Sequence, residues 1–220
     1  AHNTSEVLQQ IQNQDINFPC IIKPDLGERV KRVEIINNSD ELESYFIKYP
    51  NDPFIVQEYI NYPIELGILF YWDLEGNPKI SSIGKKKFCT LTGNGKDTLQ
   101  KLVEKNHRIY KRKKIIKAKF SPLWNQILPL HHTILIEPIG NHNRGTIFLD
   151  ARHHYSSDML QWITECAKTI PGFDFGRFDI KIENWDAFKN KKGIKVLEIN
   201  GVNSEPIHIY DPHYTIWKAY

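Results

Sequence analysis

The residues with the clearest chemical potential in this sequence are two carboxylates near its C-terminal end. Asp179 lies in the run GRFDIK, and Glu198 lies in LEIN, whose last residue is Asn200. Because strand side chains alternate faces, Glu198 and Asn200 point the same way, and pairing of the two runs places Asp179 opposite Glu198, with Cβ atoms about 5 Å apart. Carboxylates this close repel unless a cation or a proton lies between them, and oxygen ligands suit Mg²⁺. The pattern therefore indicates a magnesium site.

The same residues also fit a solvated hairpin whose acids are neutralised by Lys181 and Lys195. Charged residues are common at protein surfaces, so strand geometry alone slightly favours this alternative. An acid flanked by Leu197 and Ile199, however, is poorly placed for simple solvation, and this favours the metal site.

A lysine near the start of the chain has the setting of a phosphate ligand. Lys23 follows the apolar run PCII and precedes a loop that contains a single glycine. Its amine can meet a phosphate as a point charge, while the loop's backbone N–H groups and Arg29 can contact other phosphates. The alternative is a surface lysine whose stem lies along the core.

Two further segments could serve a nucleotide. The run Phe54 to Ile60 reads as a strand entering a polar hinge, and Glu65 follows seven residues after Glu58. Free backbone groups at such a hinge can read an adenine edge, and a nearby carboxylate can accept both ribose hydroxyls. The triplet 85–87 is all lysine, and one member could reach a triphosphate, although such a triplet also protects a solvated strand edge. The alternative for the hinge is an ordinary strand end.

The elements that would position these residues are strands with interspersed helices. Hairpin-type turns such as 73–78 favour antiparallel pairing, so the pattern predicts an α+β fold with mostly antiparallel sheets. The runs 175–182 and 194–199 are expected to pair as a hairpin. A change of pattern near residue 60 divides a small lobe, 1–60, from a larger lobe, 61–220, that holds the metal and substrate site.

The bulk properties exclude several classes. The chain has 220 residues, 40% hydrophobic, with a net charge of +3, which is too small to indicate nucleic acid by itself. The basic stretch Arg108 to Lys119 interleaves with apolar residues as a solvated amphipathic helix does. Three scattered cysteines and the absence of a membrane-length apolar run predict a protein of the reducing cytoplasm, with no membrane and no nucleic-acid partner.

Several motifs together resemble the ATP-grasp superfamily over roughly residues 18 to 206. They are FPCIIKPDLGERV, FIVQEYI, ELGILFYW, GRFDIK and VLEINGVNSEP, of which GRFDIK followed by LEIN is the most specific pair. The nearest resemblance is to poorly characterised carboxylate–amine ligases, often labelled D-alanine–D-alanine ligase-like, through FPCIIKPD, GNGKDTL, GNHNRGTIF and EPIHIYDP. The segment around TGNGKDTL is also similar to the cyanophycin synthetase ATP-grasp domain.

The resemblance implies an ATP-grasp fold in which two α+β lobes hold ATP between antiparallel sheets. It implies that Lys23 contacts the α- and β-phosphates, that Glu65 binds the ribose, and that Lys86 is the member of its triplet that reaches the γ-phosphate. The remaining implied assignments are Gln57, Glu58 and the Ile60 backbone for adenine, Asp179, Glu198 and Asn200 for two Mg²⁺ ions, and Arg144 and Arg177 for the transferring phosphoryl group and the acylphosphate.

The chemistry implied by the resemblance is the ATP-dependent joining of a small-molecule carboxylate to an amine, with release of ADP and phosphate. Phosphoryl transfer depends mainly on positioning, metal ions and cationic side chains, which agrees with a site rich in these groups. An ATP-grasp kinase and a nucleotide-binding module without turnover are the alternatives. The chain departs from related ligases in its single-glycine loop and in the apparent absence of their usual N-terminal α/β domain.

Overall fold

The computed structural model describes residues 3–26, 32–215 and 217, and they form the predicted mixture of helices and antiparallel sheets. The chain divides into two compact units, Ala1–Asn61 and Tyr62–Tyr220. Within the described residues, no helix is both long and apolar enough to cross a membrane.

The first unit is a three-stranded antiparallel sheet, in the order β2-β1-β3, with two helices packed on one face. Its elements are α1 Thr4–Asn13, β1 Cys20–Pro24, β2 Glu34–Ile36, α2 Ser39–Lys48 and β3 Phe54–Glu58. Its core contains alternate β1 residues, Cys20 and Ile22, against Leu42 and Phe46 of α2. This alternation leaves the opposite face of β1 to Ile21 and Lys23.

The start of α2 differs from the sequence expectation. The sequence pattern Asp40 to Glu43 predicts a capping box that would begin the helix there. The N-cap is instead Asn38, whose side chain accepts a hydrogen bond from the backbone N–H of Glu41. The Glu41 carboxylate in turn accepts from the backbone N–H of Asn37. Asn38 has the extended backbone conformation that an N-cap requires, so the helix is capped two residues earlier than predicted.

The second unit is built on a five-stranded antiparallel sheet in the order β10-β9-β4-β5-β8. Its strands are β4 Ile64–Trp72, β5 Pro78–Lys87, β6 Cys89–Thr92, β7 Thr133–Glu137, β8 Ile147–Asp150, β9 Phe175–Ile182 and β10 Ile194–Asn200. Its α-helices are α3 Leu99–Lys105, α4 Lys113–Lys119, α5 Ser157–Lys168 and α6 Ala187–Asn190. Short 3-10 helices lie at Tyr110–Arg112, Ser121–Leu123, His142–Arg144, Arg152–His154 and Ile207–Tyr210.

One face of the five-stranded sheet forms the main core. Leu66, Ile68 and Phe70 of β4 alternate toward it, as do Phe178 and Ile180 of β9, and helices α5 and α6 cover them. The β6–β7 pair with α3 and α4 encloses a second, smaller core. The residues of odd number in β4 and β9 are left on the other face of the large sheet, and several of them are charged.

An extra residue in β10 determines which face of the sheet the last side chains of this strand occupy. Val196 lies opposite Ile180 and Glu198 lies opposite Asp179, so Leu197 is a β-bulge. In a regular ladder Glu198 would follow Ile194 and Val196 onto the core face. The bulge absorbs one residue, and Glu198 and Asn200 consequently share the face of Asp179 and Arg177.

Candidate active site

The face of the large sheet away from α5 and α6 carries most of the predicted site residues of the second unit. We call it the charged face, defined by Glu65, Lys86, Arg177, Asp179, Lys181, Glu198 and Asn200. Three rows of directly opposed residues cross it: Lys195–Lys181–Glu65–Lys86–Phe148, Glu198–Asp179–Gly67–Gly84–Asp150 and Asn200–Arg177–Leu69–Ser82. The register confirms the expected β9–β10 hairpin and the expected position of Asp179 opposite Glu198.

Lys86 joins the first two rows of the charged face. Its Nζ lies 2.8 Å from Oε1 of Glu65 and 3.3 Å from Oδ2 of Asp179, and the three side chains are only 8, 6 and 7% exposed. Burial disfavours the charged amine, but attraction from Asp179 and Glu65 together with the Glu65 hydrogen bond outweighs it and raises the pKa of Lys86. A buried cation is therefore held between two carboxylates.

The other lysines of the 85–87 triplet have different environments. Lys85 and Lys87 alternate to the opposite side of β5 from Lys86, Lys87 is exposed, and the Lys85 amine lies 6.0 Å from the centre of the Trp185 ring. The run of three lysines does not by itself distinguish its members. The alternation of side chains along the strand does, because it places Lys86 alone on the charged face.

Arg177 continues the ion-pair network. Its Nε donates to Oδ1 of Asp179 at 2.9 Å, its Nη2 lies 3.4 Å from Oδ2, and its Nη1 donates to the backbone carbonyl of Glu205 at 3.2 Å. With its amide nitrogen toward Glu198, Asn200 donates to Oε1 of that residue at 3.1 Å and accepts from Nη2 of Arg177 at 3.3 Å. The four residues therefore form one hydrogen-bonded set at the β9–β10 edge.

The two carboxylates of the predicted metal site have unequal surroundings. Asp179 is buried, whereas Glu198 is exposed, so the solvated-surface alternative describes Glu198 and fails for Asp179. Lys86 and Arg177 contact Asp179. Two carboxylates and an amide oxygen on opposed residues are hard oxygen donors, the chemistry that Mg²⁺ prefers. The described residues contain no group of three or more histidine, cysteine, aspartate or glutamate side chains that could hold a metal.

Two glycines at the centre of the charged face leave space for the segment that follows β10. Gly67 and Gly84 are directly opposed, and a Cβ atom on them would lie 2.6 and 2.2 Å from side-chain carbons of Ile207. The next residue, His208, has its Nδ1 2.7 Å from the Ser82 hydroxyl. The missing side chains therefore allow the 3-10 helix Ile207–Tyr210 to pack onto the sheet beside Asp179.

We expect Gly84→Ala to lower the free energy of unfolding by about 2 kcal/mol, because the added methyl overpacks against the buried Ile207 side chain. Urea denaturation checks this value. Gly201→Ala is the matched control, since its added Cβ would meet no atom within 4 Å. Equal free energies of unfolding for the two variants would show that the Ile207 side chain can move aside without a loss of stability.

The first unit holds the remaining predicted nucleotide residues. Lys23 and Gln57 lie on the sheet face opposite the helices, because Lys23 is opposed to Ile55 and Gln57 to Ile21. Glu58 is opposed to Cys20, so its side chain belongs to the other face, and the structure does not bring the Gln57 and Glu58 side chains together. Ile60 is buried just after β3. Arg29 lies outside the described residues.

Arg144 lies in the 3-10 helix His142–Arg144, outside the strands of the large sheet. Its Nη1 is 3.5 Å from Oε1 of Glu137, and Arg112 binds the other oxygen of that carboxylate at 2.8 Å. Neither the Arg112 contact nor the Arg144 contact with Glu137 was predicted from the sequence. Arg112 belongs to the basic stretch that was expected to be solvated, and nothing in its local sequence relates it to an acid 25 residues away.

Solved structures provide the comparison, since no protein-family model and no curated protein matches the chain. A bifunctional glutathione synthetase from Pasteurella multocida matches 95% of the chain with a TM-score of 0.50 and 12% identity. N5-carboxyaminoimidazole synthetase from Staphylococcus aureus, complexed with ADP, matches 94% with a TM-score of 0.51 and 13% identity. D-cycloserine synthetase matches 98% with a TM-score of 0.50 and 11% identity.

These similarities concern the fold. The chain spans 31, 40 and 58% of the three matched chains, in the same order. Because the matches cover 94 to 98% of the chain, they include residues of both units. All three are ATP-grasp proteins. The chain therefore has the ATP-grasp fold.

Proposed function

We propose that this chain is the catalytic domain of an ATP-dependent ligase that joins a small-molecule carboxylate to an amine. The observation that carries the proposal is the charged face, where Lys86, Glu65, Asp179 and Arg177 form one buried network next to Glu198. A structural ion pair needs one cation and one acid, and buried pairs contribute little net stability. Concentrating five charged residues on one side of a sheet instead suits the binding of a highly charged ligand such as Mg-ATP.

Each charged residue has a role that its geometry supports. Asp179, Glu198 and Asn200 supply the oxygen ligands for Mg²⁺, with two ions proposed, and the bound metal would neutralise phosphate charge. Lys86 presents a permanent cation, because its two carboxylate partners keep it protonated. Arg177 is held by Asp179 and the Glu205 carbonyl in a fixed orientation, as a ligand for developing phosphoryl charge requires.

The proposed reaction has two steps. A carboxylate oxygen attacks the γ-phosphorus of ATP, the β–γ phosphoanhydride bond breaks, and ADP leaves with the bonding electron pair. The amine then attacks the acyl carbon of the acylphosphate, phosphate leaves, and the nitrogen loses a proton. Arg177 and Arg144 are the proposed cations for the transferring phosphoryl group and the acylphosphate. The protein supplies position and charge, and no covalent nucleophile of the chain is required.

The first unit carries further proposed nucleotide contacts. Lys23 and Gln57 share the sheet face opposite the helices, which suits contacts to phosphate and adenine. Glu58 and the Ile60 backbone stay predictions for adenine, as Arg29 does for phosphate and Glu65 for ribose. A cytoplasmic location also remains a prediction.

The decisive experiment measures ADP release while amino acids and dipeptides are screened as acids and amines. We expect release only when ATP, Mg²⁺, a carboxylate and an amine are all present. An ¹⁸O-labelled carboxylate should transfer one labelled oxygen to the released phosphate, because the acyl C–O bond breaks in the second step. Mass spectrometry of the phosphate checks this transfer and identifies the amide product.

Other results would contradict the ligase proposal in distinct ways. Phosphorylation of an alcohol without phosphate release would identify a kinase that uses the same charged face. Tight Mg-ATP binding with no turnover across the screen would identify a nucleotide-binding module. Phosphate that is released unlabelled, with amide formed, would remove the acylphosphate step.

A further inference from the structure

A second cluster of charges lies outside the charged face, around the carboxylate at the end of β7. Glu137 is 7% exposed, and its oxygens accept from Nη1 of Arg112 at 2.8 Å, from Nη1 of Arg144 at 3.5 Å, and from the backbone N–H of Ile139 at 3.2 Å. Both arginine side chains are only 20% exposed. The carboxylate is thus satisfied by more than one cation.

A third cation stands beside the same carboxylate. The Lys119 amine donates to the backbone carbonyl of Ile136, next to Glu137, at 3.1 Å. Burial of the amine lowers the pKa of Lys119, and repulsion from Arg112 and Arg144 lowers it further against the attraction of Glu137. Lys119 is therefore repelled by Arg112 and Arg144 beside Glu137, and an anion placed next to these cations would reduce the repulsion.

Arg112 also has hydrogen-bonding capacity to spare. Within the described part of the chain, it donates only through Nη1, to Glu137 and to the backbone carbonyl of Arg144. A guanidinium has five N–H donors, so Nε and Nη2 have no partner among the described residues. Guanidinium donors with this spare capacity are suited to an oxyanion, which they bind in a forked geometry.

The cluster is connected to the charged face by a short piece of backbone. Gly140 lies three residues after Glu137 and packs against the Glu65–Lys86 pair, since a Cβ atom there would be 2.8 Å from Oε1 of Glu65 and 2.9 Å from Cδ of Lys86. Arg144 follows four residues later in the same loop. The loop that carries Arg144 therefore also contacts the charged face.

We propose that Arg112, Arg144 and Lys119 form an oxyanion subsite that takes a carboxylate or phosphate group of the acid substrate in its free or activated form. This inference rests on the proposed function and extends it, because it assigns substrate binding to Arg112 and Lys119. It makes Glu137 a positioning residue that orients the two arginines through its separate oxygens.

The test measures binding of inorganic phosphate and of acetate to the full chain, each without nucleotide or Mg²⁺, by isothermal titration and NMR. We expect Arg112→Gln to weaken anion binding about tenfold and Lys119→Gln to weaken it by a similar factor, since each removes one charged contact. Arg108→Gln is the matched control, because Arg108 is an exposed arginine of the same segment. It should bind the anions as the wild type does. Binding of phosphate alone would assign the subsite to the activated substrate, and binding of acetate as well would include the free acid.

Two further variants keep the inference distinguishable from the ligase proposal and from misfolding. Glu198→Gln should retain anion binding even though its Mg-ATP site is impaired, so loss of one function leaves the other measurable. Arg112→Lys keeps the charge toward Glu137 but not the forked donors, and its anion affinity should fall while its unfolding curve stays close to that of the wild type. The inference is overturned if the wild type binds neither anion, or if Arg108→Gln weakens binding as much as Arg112→Gln.

Discussion

Lys86→Met is expected to destabilise the second unit by about 3 kcal/mol, because it leaves two buried carboxylates without the cation between them. Glu65 and Asp179 are each 5% exposed, so water cannot replace the lost amine without rearrangement. Arg177 still pairs with Asp179 and limits the loss. If Lys86 also contacts ATP as proposed, ADP release should fall about 100-fold. Urea denaturation and the ADP assay measure the two effects separately.

The neighbouring lysine gives a matched control for this variant. Lys87→Met changes the same residue type one position along β5, on the other side of the strand, where the side chain is exposed. Its free energy of unfolding should change by no more than about 0.5 kcal/mol. Equal losses of stability in Lys86→Met and Lys87→Met would contradict the explanation that the buried cation between the two carboxylates is the cause.

Glu198→Gln is expected to weaken Mg²⁺-dependent ATP binding at least about tenfold and to slow ADP release by about 100-fold. Glutamine keeps the shape of the side chain but replaces a charged metal ligand with a neutral one. Because Glu198 is exposed, the fold should not change, and the oxygen of the new amide can still accept from Asn200. ATP titrations with and without Mg²⁺ separate the metal contribution from the remaining contacts.

The control for the metal variant lies at the other end of the same strand pair. Glu183→Gln changes an exposed glutamate just after β9, beyond the charged face, and should leave both measurements unaltered. Unchanged Mg²⁺-dependent affinity and turnover in Glu198→Gln would contradict the metal assignment. Equal losses in both variants would indicate a general effect of surface charge on nucleotide binding.

Much of this arrangement could be predicted from the sequence, because it depends on alternation along strands. Arg177, Asp179 and Lys181 share a face for that reason, and the same rule separates Lys86 from Lys85 and Lys87. The pairing of the last two strands was also predicted, from the strand-like runs 175–182 and 194–199. The ATP-grasp fold itself was predicted through a set of motifs, not from any single element.

Features that depend on contacts distant in the sequence could not be predicted. Nothing local indicates that Glu137 receives Arg112, or that Gly67 and Gly84 make room for Ile207, because each contact joins separate parts of the chain. The N-cap of α2 was placed two residues late, since Asn38 and Asp40 are both good capping residues and only backbone conformation decides between them.

The bulge at Leu197 has a consequence for finding related chains. The bulge separates two parts of β10. Ile194 and Val196 face the hydrophobic core, and the residues after the bulge carry the proposed metal ligands. A homologue with one residue fewer at this point would form a regular ladder and still present its glutamate opposite the aspartate of β9. The distance from the hydrophobic run to the glutamate is therefore free to vary by one residue, whereas the spacing of Glu198 and Asn200 is not. Searches for this site should hold the Glu-x-Asn pair fixed and allow a gap before it.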